Sequence, residues 1–241
     1  ALVVVGGDGA VHHAARGLLD VGPPPALVPL AVIAAGTGND FAKSLGTPSH
    51  DIAALAALVG RGRTRLVDVG MLDDVPFVNA AGFGFDVEVL ERMQVPSPLT
   101  GTALYVVTAL RALWQYAGLR SALATGESAE RAVTHRRLLT VVANGQWFGG
   151  AFRIAPTAQL DDGQLDVVDI GEVAALRRLA LFWRATRGTH LSASGVHHRR
   201  CERFAFEFDT PPRFEADGEL HQARSTALRA AVLPAALRVI C

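Results

Sequence analysis

The sequence predicts a protein of the α/β plus all-β class, built as two lobes: a parallel α/β lobe over residues 1–64, entered partway, and an antiparallel β-sandwich lobe over residues 65–241. Three observations predict it. The first stretch alternates apolar run, glycine turn and helical spacing, as parallel sheets with crossover helices do. From about Arg65 the pattern changes to short alternating segments separated by turn residues, the mark of a sandwich. At 241 residues, half of them hydrophobic, the chain has enough apolar matter for one large domain or two smaller ones.

The elements follow in order. "ALVVV" is a short continuous apolar run, expected of a strand covered on both faces. Val11, Ala14, Ala15, Leu18 and Leu19 then recur at helical spacing. After the connector "DVGPPPALV", "PLAVIAAGTGNDFAKSLG" repeats the unit, its helix stopping at Gly46 with Pro48 beyond. "DIAALAALVGRG" reads as a third helix capped by Ser49 or Asp51. "RLVDVGML" and "VPFVNAAGFGF" are strands joined by Asp73-Asp74, and residues 102–116 form a helix. "HRRLLTVVANG", "FRIAP", "QLDVVDI", "RCERFAFEFD", "FEADGEL" and "LRAAVL" supply the remaining strands. One helix, Glu172 to Thr186, interrupts them, with Ala175, Leu179, Phe182 and Trp183 along one face. The C-terminal segment is free to return to the first lobe.

The formal net charge is zero, and the arginine clusters "THRRL" and "HHRRCERF" are short, which excludes a dedicated nucleic-acid surface. Two cysteines, Cys201 and Cys241, make no disulfide framework and fit free thiols in a reducing, cytoplasmic setting. No apolar run reaches the ~18 residues of a membrane span.

Two glycine turns sit where a parallel sheet places ligands, beyond the carboxyl ends of its strands. In the first, Gly6, Gly7 and Gly9 allow backbone N–H groups to approach a phosphate, and the helix that follows adds partial positive charge. Asp8 is a carboxylate in that turn, repelled by phosphate unless a cation lies between them; a magnesium nucleotide resolves the conflict. The competing reading makes Asp8 a helix cap. The second turn repeats the logic with Gly36, Thr37, Gly38, Asn39 and Asp40. Neither turn is a Walker A or a dinucleotide fingerprint.

"VVGGDGAVHHAARGL", "PLAVIAAGTGNDFAKSLG", "VNAAGFGFDVEV", "NGQWFGGAFRIAPTAQLDDGQLDVV" and "FEADGEL" resemble, in order, the motif series of the diacylglycerol kinase catalytic-domain family, which includes bacterial lipid kinases and is related to sphingosine and ceramide kinases. The resemblance spans essentially the whole chain. It implies an ATP- and Mg2+-dependent kinase that phosphorylates a lipid hydroxyl at a membrane surface, peripherally attached, with the site between the lobes. It also implies that strand–helix units of the first lobe lie upstream of Ala1. Gly7, Asp8, Gly9, Gly36, Thr37, Asn39 and Asp40 match the family's nucleotide loops, and Glu219 the acidic residue thought to act as general base, with Asp217 beside it. Asp161 and Asp162 match a structural magnesium segment, with Gln164 and Asp166 as helpers. ATP and a lipid are the implied partners, and a homodimer is one option.

Blander readings stand beside these. Asp217-Gly218 and Asp162-Gly163 are also hairpin turn signals, and Asp86 fits helix capping as well as a site. The family usually carries Thr, Asn and Glu where this chain has Ala10, His12 and His13. His12 is expected on the solvent side of its helix, whereas His13, in the acidic position, is equally open to a phosphate contact. Phe83, Phe85, Met93, Leu104, Trp114 and Tyr116 suit an apolar acceptor pocket or plain core. Phosphorylation of NAD, which also uses Gly-Gly-Asp-Gly, and non-catalytic nucleotide or lipid binding are the alternatives.

Overall fold

The computed structural model describes residues 1–22, 28–47, 52–96, 98, 101–126 and 132–241. The first lobe holds β1 (Leu2–Gly6), α1 (Asp8–Val21), β2 (Leu30–Ala34), α2 (Asp40–Leu45) and α3 (Ile52–Arg61). The strands pair in parallel, Leu2 opposite Leu30 and Gly6 opposite Ala34, so both glycine turns leave the same end of the sheet. Among the described residues β1 pairs with β2, and Leu2, Val3 and Val5 are exposed. Ser49 and Asp51, the expected caps of α3, lie outside the described residues.

The second lobe follows as β3 (Thr64–Leu72), β4 (Val75–Phe77), β5 (Ala80–Gly84), α4 (Phe85–Met93), α5 (Gly101–Gln115), β6 (Leu119–Thr125), β7 (His135–Ala143), β8 (Leu165–Gly171), α6 (Ala175–Ala185), β9 (Val196–Cys201), β10 (Arg203–Phe208), β11 (Arg213–Ala216), β12 (Glu219–Gln222) and β13 (Ala227–Ile240). One sheet runs β12-β11-β5-β7-β8-β9 and the other β4-β3-β13-β10-β6, and they join where β6 pairs with the start of β7. Between them lies an aromatic core of Phe77, Phe83, Phe204, Phe206, Phe208 and Phe214. Phe83 belongs to this core, its ring 5.2 Å from Phe206 and 5.1 Å from Phe208. Helices α4, α5 and α6 pack on the outer face of β5, β7 and β8, through Phe85, Val89, Leu113, Leu138, Val168 and Leu181.

Two departures have clear causes. The segment read as one strand, "VPFVNAAGFGF", breaks at Val78–Asn79, so that β4 stays with β3 while β5 crosses to β7 and β11. The Asp217 carboxylate accepts the N–H groups of Val78, Asn79 and Ala80 at the break. "FRIAP" is no strand; it forms a single bridge between Phe148 and Phe152 around a glycine turn.

β13 belongs to both lobes. Its first half pairs with β10 and β3; its second half pairs with β3, and Val239 pairs in parallel with Leu30 of β2. The register shifts between Leu233 and Leu237, where Ala235 takes φ 51° and donates its N–H to the buried carboxylate of Asp68.

Candidate active site

Backbone contact brings the two predicted glycine turns together. A Cβ on Gly36 would stand 2.4 Å from the Cα of Gly7, and one on Gly38 2.6 Å from Asp8 Oδ2. Asn39, at φ 55°, closes its own turn: its amide donates to Gly36 O and its carbonyl accepts Gly36 N–H, which commits one of its two donor hydrogens. Asp8 does cap a helix, but the opposite one: Oδ1 accepts the N–H of Asp40 at 2.7 Å and of Phe41 at 3.3 Å at the start of α2. Asp40 in turn accepts the N–H of Gly150 at 2.8 Å and is 3.2 Å from Lys43 Nζ. A third glycine turn, Gly149-Gly150 from the second lobe, therefore completes the crevice; its motif is visible in the sequence, its role is not.

Gly36→Ala is expected to push the two turns apart, because the obstructing atom is backbone. Overpacking of this kind costs about 1–3 kcal/mol. Thermal unfolding with and without Mg·ATP checks it: the nucleotide-induced rise expected of the parent protein should vanish.

Beyond the crevice opens a cavity of about 680 Å³. Asp8, Asp40, Asp86, Glu215 and Asp217 line its polar end; Phe85, Val89, Met93, Phe152, Ile154 and Phe182 are among the residues of its apolar end. Of the pocket residues expected, Phe85 and Met93 are there; Trp114 is exposed, Tyr116 packs behind Phe85, and the side chain of Leu104 lies outside the described residues.

Asp86 and Glu215 meet over Gly82, where a Cβ would touch Asp86 Oδ2 at 1.8 Å and Glu215 Oε1 at 3.0 Å. Although Asp86 as a whole is half-buried, both of its carboxyl oxygens are shielded from water and lack a well-aligned partner, as does Glu215 Oε1. Burial pushes the Asp86 carboxyl up to about 7, and burial with the Asp86 charge raises Glu215 well above the usual carboxylate range. Asp8 is raised too, by burial and then by the neighbouring Asp40. Glu215 escaped the sequence reading for a definite reason. Alternation along β11 turns Phe214 to the sandwich core and Glu215 to the opposite face, and only the fold shows that face is covered.

A folded-state pKa above the unfolded 3.8 means that the stability tied to Asp86 is complete below pH 4 and lost as pH rises through 7. Asp86→Asn is therefore expected to be more stable than the parent at pH 8 by roughly 2–4 kcal/mol, with no difference at pH 4. Urea unfolding across that range is the check; parallel curves would rule out the burial account.

The remaining predicted residues are placed as follows. Asp217 and Gly218, at φ 50° and 90°, form the two-residue turn between β11 and β12, so the hairpin reading and the site reading both hold. Glu219 is exposed outside the cavity, its Oε1 3.0 Å from where a Gly9 Cβ would be, with no ion pair or hydrogen bond among the described residues. His12 departs from its expected solvent position, while His13 takes the solvent one of its two readings. His12 is 2% exposed, with Nδ1 3.0 Å from Asp217 Oδ2, whereas His13 faces solvent, because Val11, His12 and Ala15 share the buried arc of α1.

Asp161, Asp162, Gln164 and Asp166 form a separate network that does not reach the cavity. Asp161 lies 3.7 Å from Arg65, Asp162 pairs with Arg200 and accepts the Gln164 N–H, and Asp166 takes His198 and Thr157. Asp68, missed in the sequence because it sits inside the apolar run "RLVDVGML", holds this loop through the Gly163 N–H. Among the described residues no group of three or more His, Cys, Asp or Glu side chains is gathered to hold a metal ion alone.

Residues 1–72 match the model of the diacylglycerol kinase catalytic domain, and residues 79–241 match that of the YegS C-terminal NAD kinase beta sandwich-like domain. The chain belongs to the diacylglycerol kinase catalytic-domain family. Within that family it is 27% identical to the diacylglycerol kinase of Bacillus subtilis over 218 residues, covering 90% of this chain and 70% of the relative. The crystal structure of a diacylglycerol kinase from Bacillus anthracis superposes with a TM-score of 0.71 at 21% identity, covering 99% of this chain and 75% of that one. An NAD kinase from Archaeoglobus fulgidus in complex with ATP gives 0.53 at 13% identity, over 99% and 76%, a likeness of fold.

The donor set fits a magnesium nucleotide. Gly7 packs on Gly36 and Gly38 on Asp8 too closely for any side chain, so both turns present backbone alone, and Asp8 is a desolvated carboxylate pressed against a second one, which a cation relieves. Mg2+ held with polyphosphate needs only one or two carboxylates, so the lack of a three-residue cluster is no obstacle.

Proposed function

We propose that this chain is an ATP-dependent lipid kinase that transfers the γ-phosphoryl group to the hydroxyl of diacylglycerol or a similar lipid. The observation that carries this reading is the composite cavity, lined by carboxylates and bare backbone together with a set of apolar side chains. A lipid places its hydroxyl at the first and its chains against the second. A dinucleotide has nothing to set against the second, and this favours lipid over NAD.

The chain's own residues divide the task. The turns around Gly7, Gly36 and Gly38 bring N–H groups to the phosphates, and the first turn of α1 adds its dipole. Asp8 and Asp40 provide the carboxylates for Mg2+, which when bound neutralises charge on the phosphate oxygens. Asp86 and Glu215, whose buried carboxyl oxygens lack partners and whose burial favours the protonated form, orient the acceptor hydroxyl by donating and accepting hydrogen bonds. Glu219, free of partners, accepts the hydroxyl proton from the edge of the crevice. The apolar walls exclude water that would compete as acceptor.

The test is incubation of the intact protein with labelled ATP and diacylglycerol, sphingosine, ceramide and NAD side by side. A labelled lipid phosphate is expected, and Glu219→Gln should lower kcat about 10²–10⁴-fold. Labelling of NAD alone overturns the reading, nucleotide binding without turnover on any acceptor favours a non-catalytic protein, and undiminished activity in Glu219→Gln removes the base.

A further inference from the structure

Helix α6 faces the wrong way for a helix in water. Leu176 is 73% exposed, Leu179 37% and Trp183 63%, while Arg178 on the same helix is 6% exposed. Arg178 is committed to the fold, donating to the carbonyls of Val173, Leu113 and Tyr116 and pairing with Glu172. Leu179 and Trp183 share one face at helical spacing, and a face of that kind ordinarily packs inward. Here Leu181 and Ala185 hold that place.

The outward residues are ordered. At 3.6 residues per turn, Leu176, Leu179 and Trp183 fall within an arc of roughly 60°. Arg177 and Arg184 lie on one shoulder of that arc, and the guanidinium of Arg187 stacks on the Trp183 indole at 3.6 Å from the ring centroid. No Asp or Glu occurs between Glu172 and Glu202, so in a chain of zero net charge this segment is locally cationic. Leucine and tryptophan outward with arginines on the flank is the arrangement of a helix that lies in a bilayer interface.

The other flank of α6 is continuous with the active-site cavity. Leu181, Phe182, Ala185 and Thr186 wall it, and exposed Thr186 and Ala151 stand at its rim. A molecule leaving a membrane beneath Leu179 and Trp183 would meet Phe182 and then the other apolar lining of the cavity. α5, fastened to α6 by Arg178, adds exposed Leu110 and Trp114. No described helix is long and apolar enough to cross a membrane, so attachment through α6 would be to one surface.

We propose that the outer face of α6, the stripe Leu176–Leu179–Trp183 with Arg177, Arg184 and Arg187, seats this protein on an anionic phospholipid bilayer with its cavity rim against the lipid. The surface rests on the lipid-kinase reading only for what enters the cavity; the exposed stripe and its charge stand without it.

Flotation of the intact protein with phosphatidylcholine vesicles, with and without phosphatidylglycerol, tests the surface. The parent protein should bind the anionic vesicles, and Leu179→Glu/Trp183→Glu should bind them at least about tenfold less. Arg177→Glu, at an exposed arginine, should bind severalfold less and lose its response to salt. Both positions of the double variant already face water, so its thermal midpoint should match the parent's, and its activity on a short-chain, water-dispersed diacylglycerol should stay within about twofold. Undiminished vesicle binding by the double variant overturns the proposal, as does failure of the parent to bind. A parent dimer that the double variant dissociates without change in vesicle binding overturns it in favour of a second copy. If the parent phosphorylates no lipid while the double variant still loses vesicle binding, the surface stands and the kinase reading falls.

Discussion

Asp217→Ala is expected to cost the fold about 3–5 kcal/mol, the largest stability loss of any single exchange in the site. The carboxylate is buried and accepts the N–H groups of Val78, Asn79 and Ala80 at 2.8, 2.9 and 3.2 Å, with His12 at 3.0 Å on the other side. Its removal leaves three backbone donors and a buried imidazole without partners. Those donors sit where the chain leaves one sheet for the other, so β4 and β5 lose their fixed relation as well. Alanine at φ 50° adds backbone strain of about 1 kcal/mol. Asp217→Asn, which tolerates that conformation and retains one acceptor, should lose roughly half as much. Urea unfolding measures both; a loss below about 1 kcal/mol for the alanine variant would mean that the break at Val78–Asn79 is held by packing.

Asp8→Asn is expected to reduce kcat/KM about 10³-fold, or about 4 kcal/mol of transition-state stabilisation, while the fold persists. The exchange separates the two roles of this residue. An asparagine carbonyl still accepts the N–H groups of Asp40 and Phe41 and so keeps α2 capped. It lacks the charge that a magnesium nucleotide requires. If Asp8 only caps, the variant should retain activity within about threefold; if it serves the cation, turnover collapses with the melting temperature nearly unchanged. Asp8→Ala loses both functions, and comparison of the two variants apportions them.

Both residues were legible in the sequence, for different reasons. The glycine turns announce themselves because only glycine permits backbone approach as close as that of Gly7 and Gly36, and an acid in such a turn is chemically odd enough to need a cation. The "DG" pair of Asp217 and Gly218 is a hairpin signal in any context, and here the turn is what aims the carboxylate. What the sequence withheld depends on which faces the fold covers. Glu215 looks like an outward strand residue until α4 and the cavity wall close over it. His12 looks solvent-facing until the β11–β12 hairpin supplies Asp217 as its partner. Asp68 sits within an apolar run, and nothing local indicates that it receives N–H groups from Gly163 and Ala235, far along the chain. The Leu179–Trp183 stripe shares one face as its spacing predicts, but periodicity reports only that a helix has two faces and says nothing of which one meets protein.

The strand β13, which hydrogen-bonds to β10 and β3 of one lobe and to β2 of the other, also bears on biosynthesis. Leu30 and its partner Val239 lie some two hundred residues apart, so β2 leaves the ribosome long before the strand that pairs with it. That edge of the first lobe thus stays unpaired until β13 has been made. Chaperone occupancy during that interval, and damage from any truncation that removes β13, should fall on the first lobe as heavily as on the second.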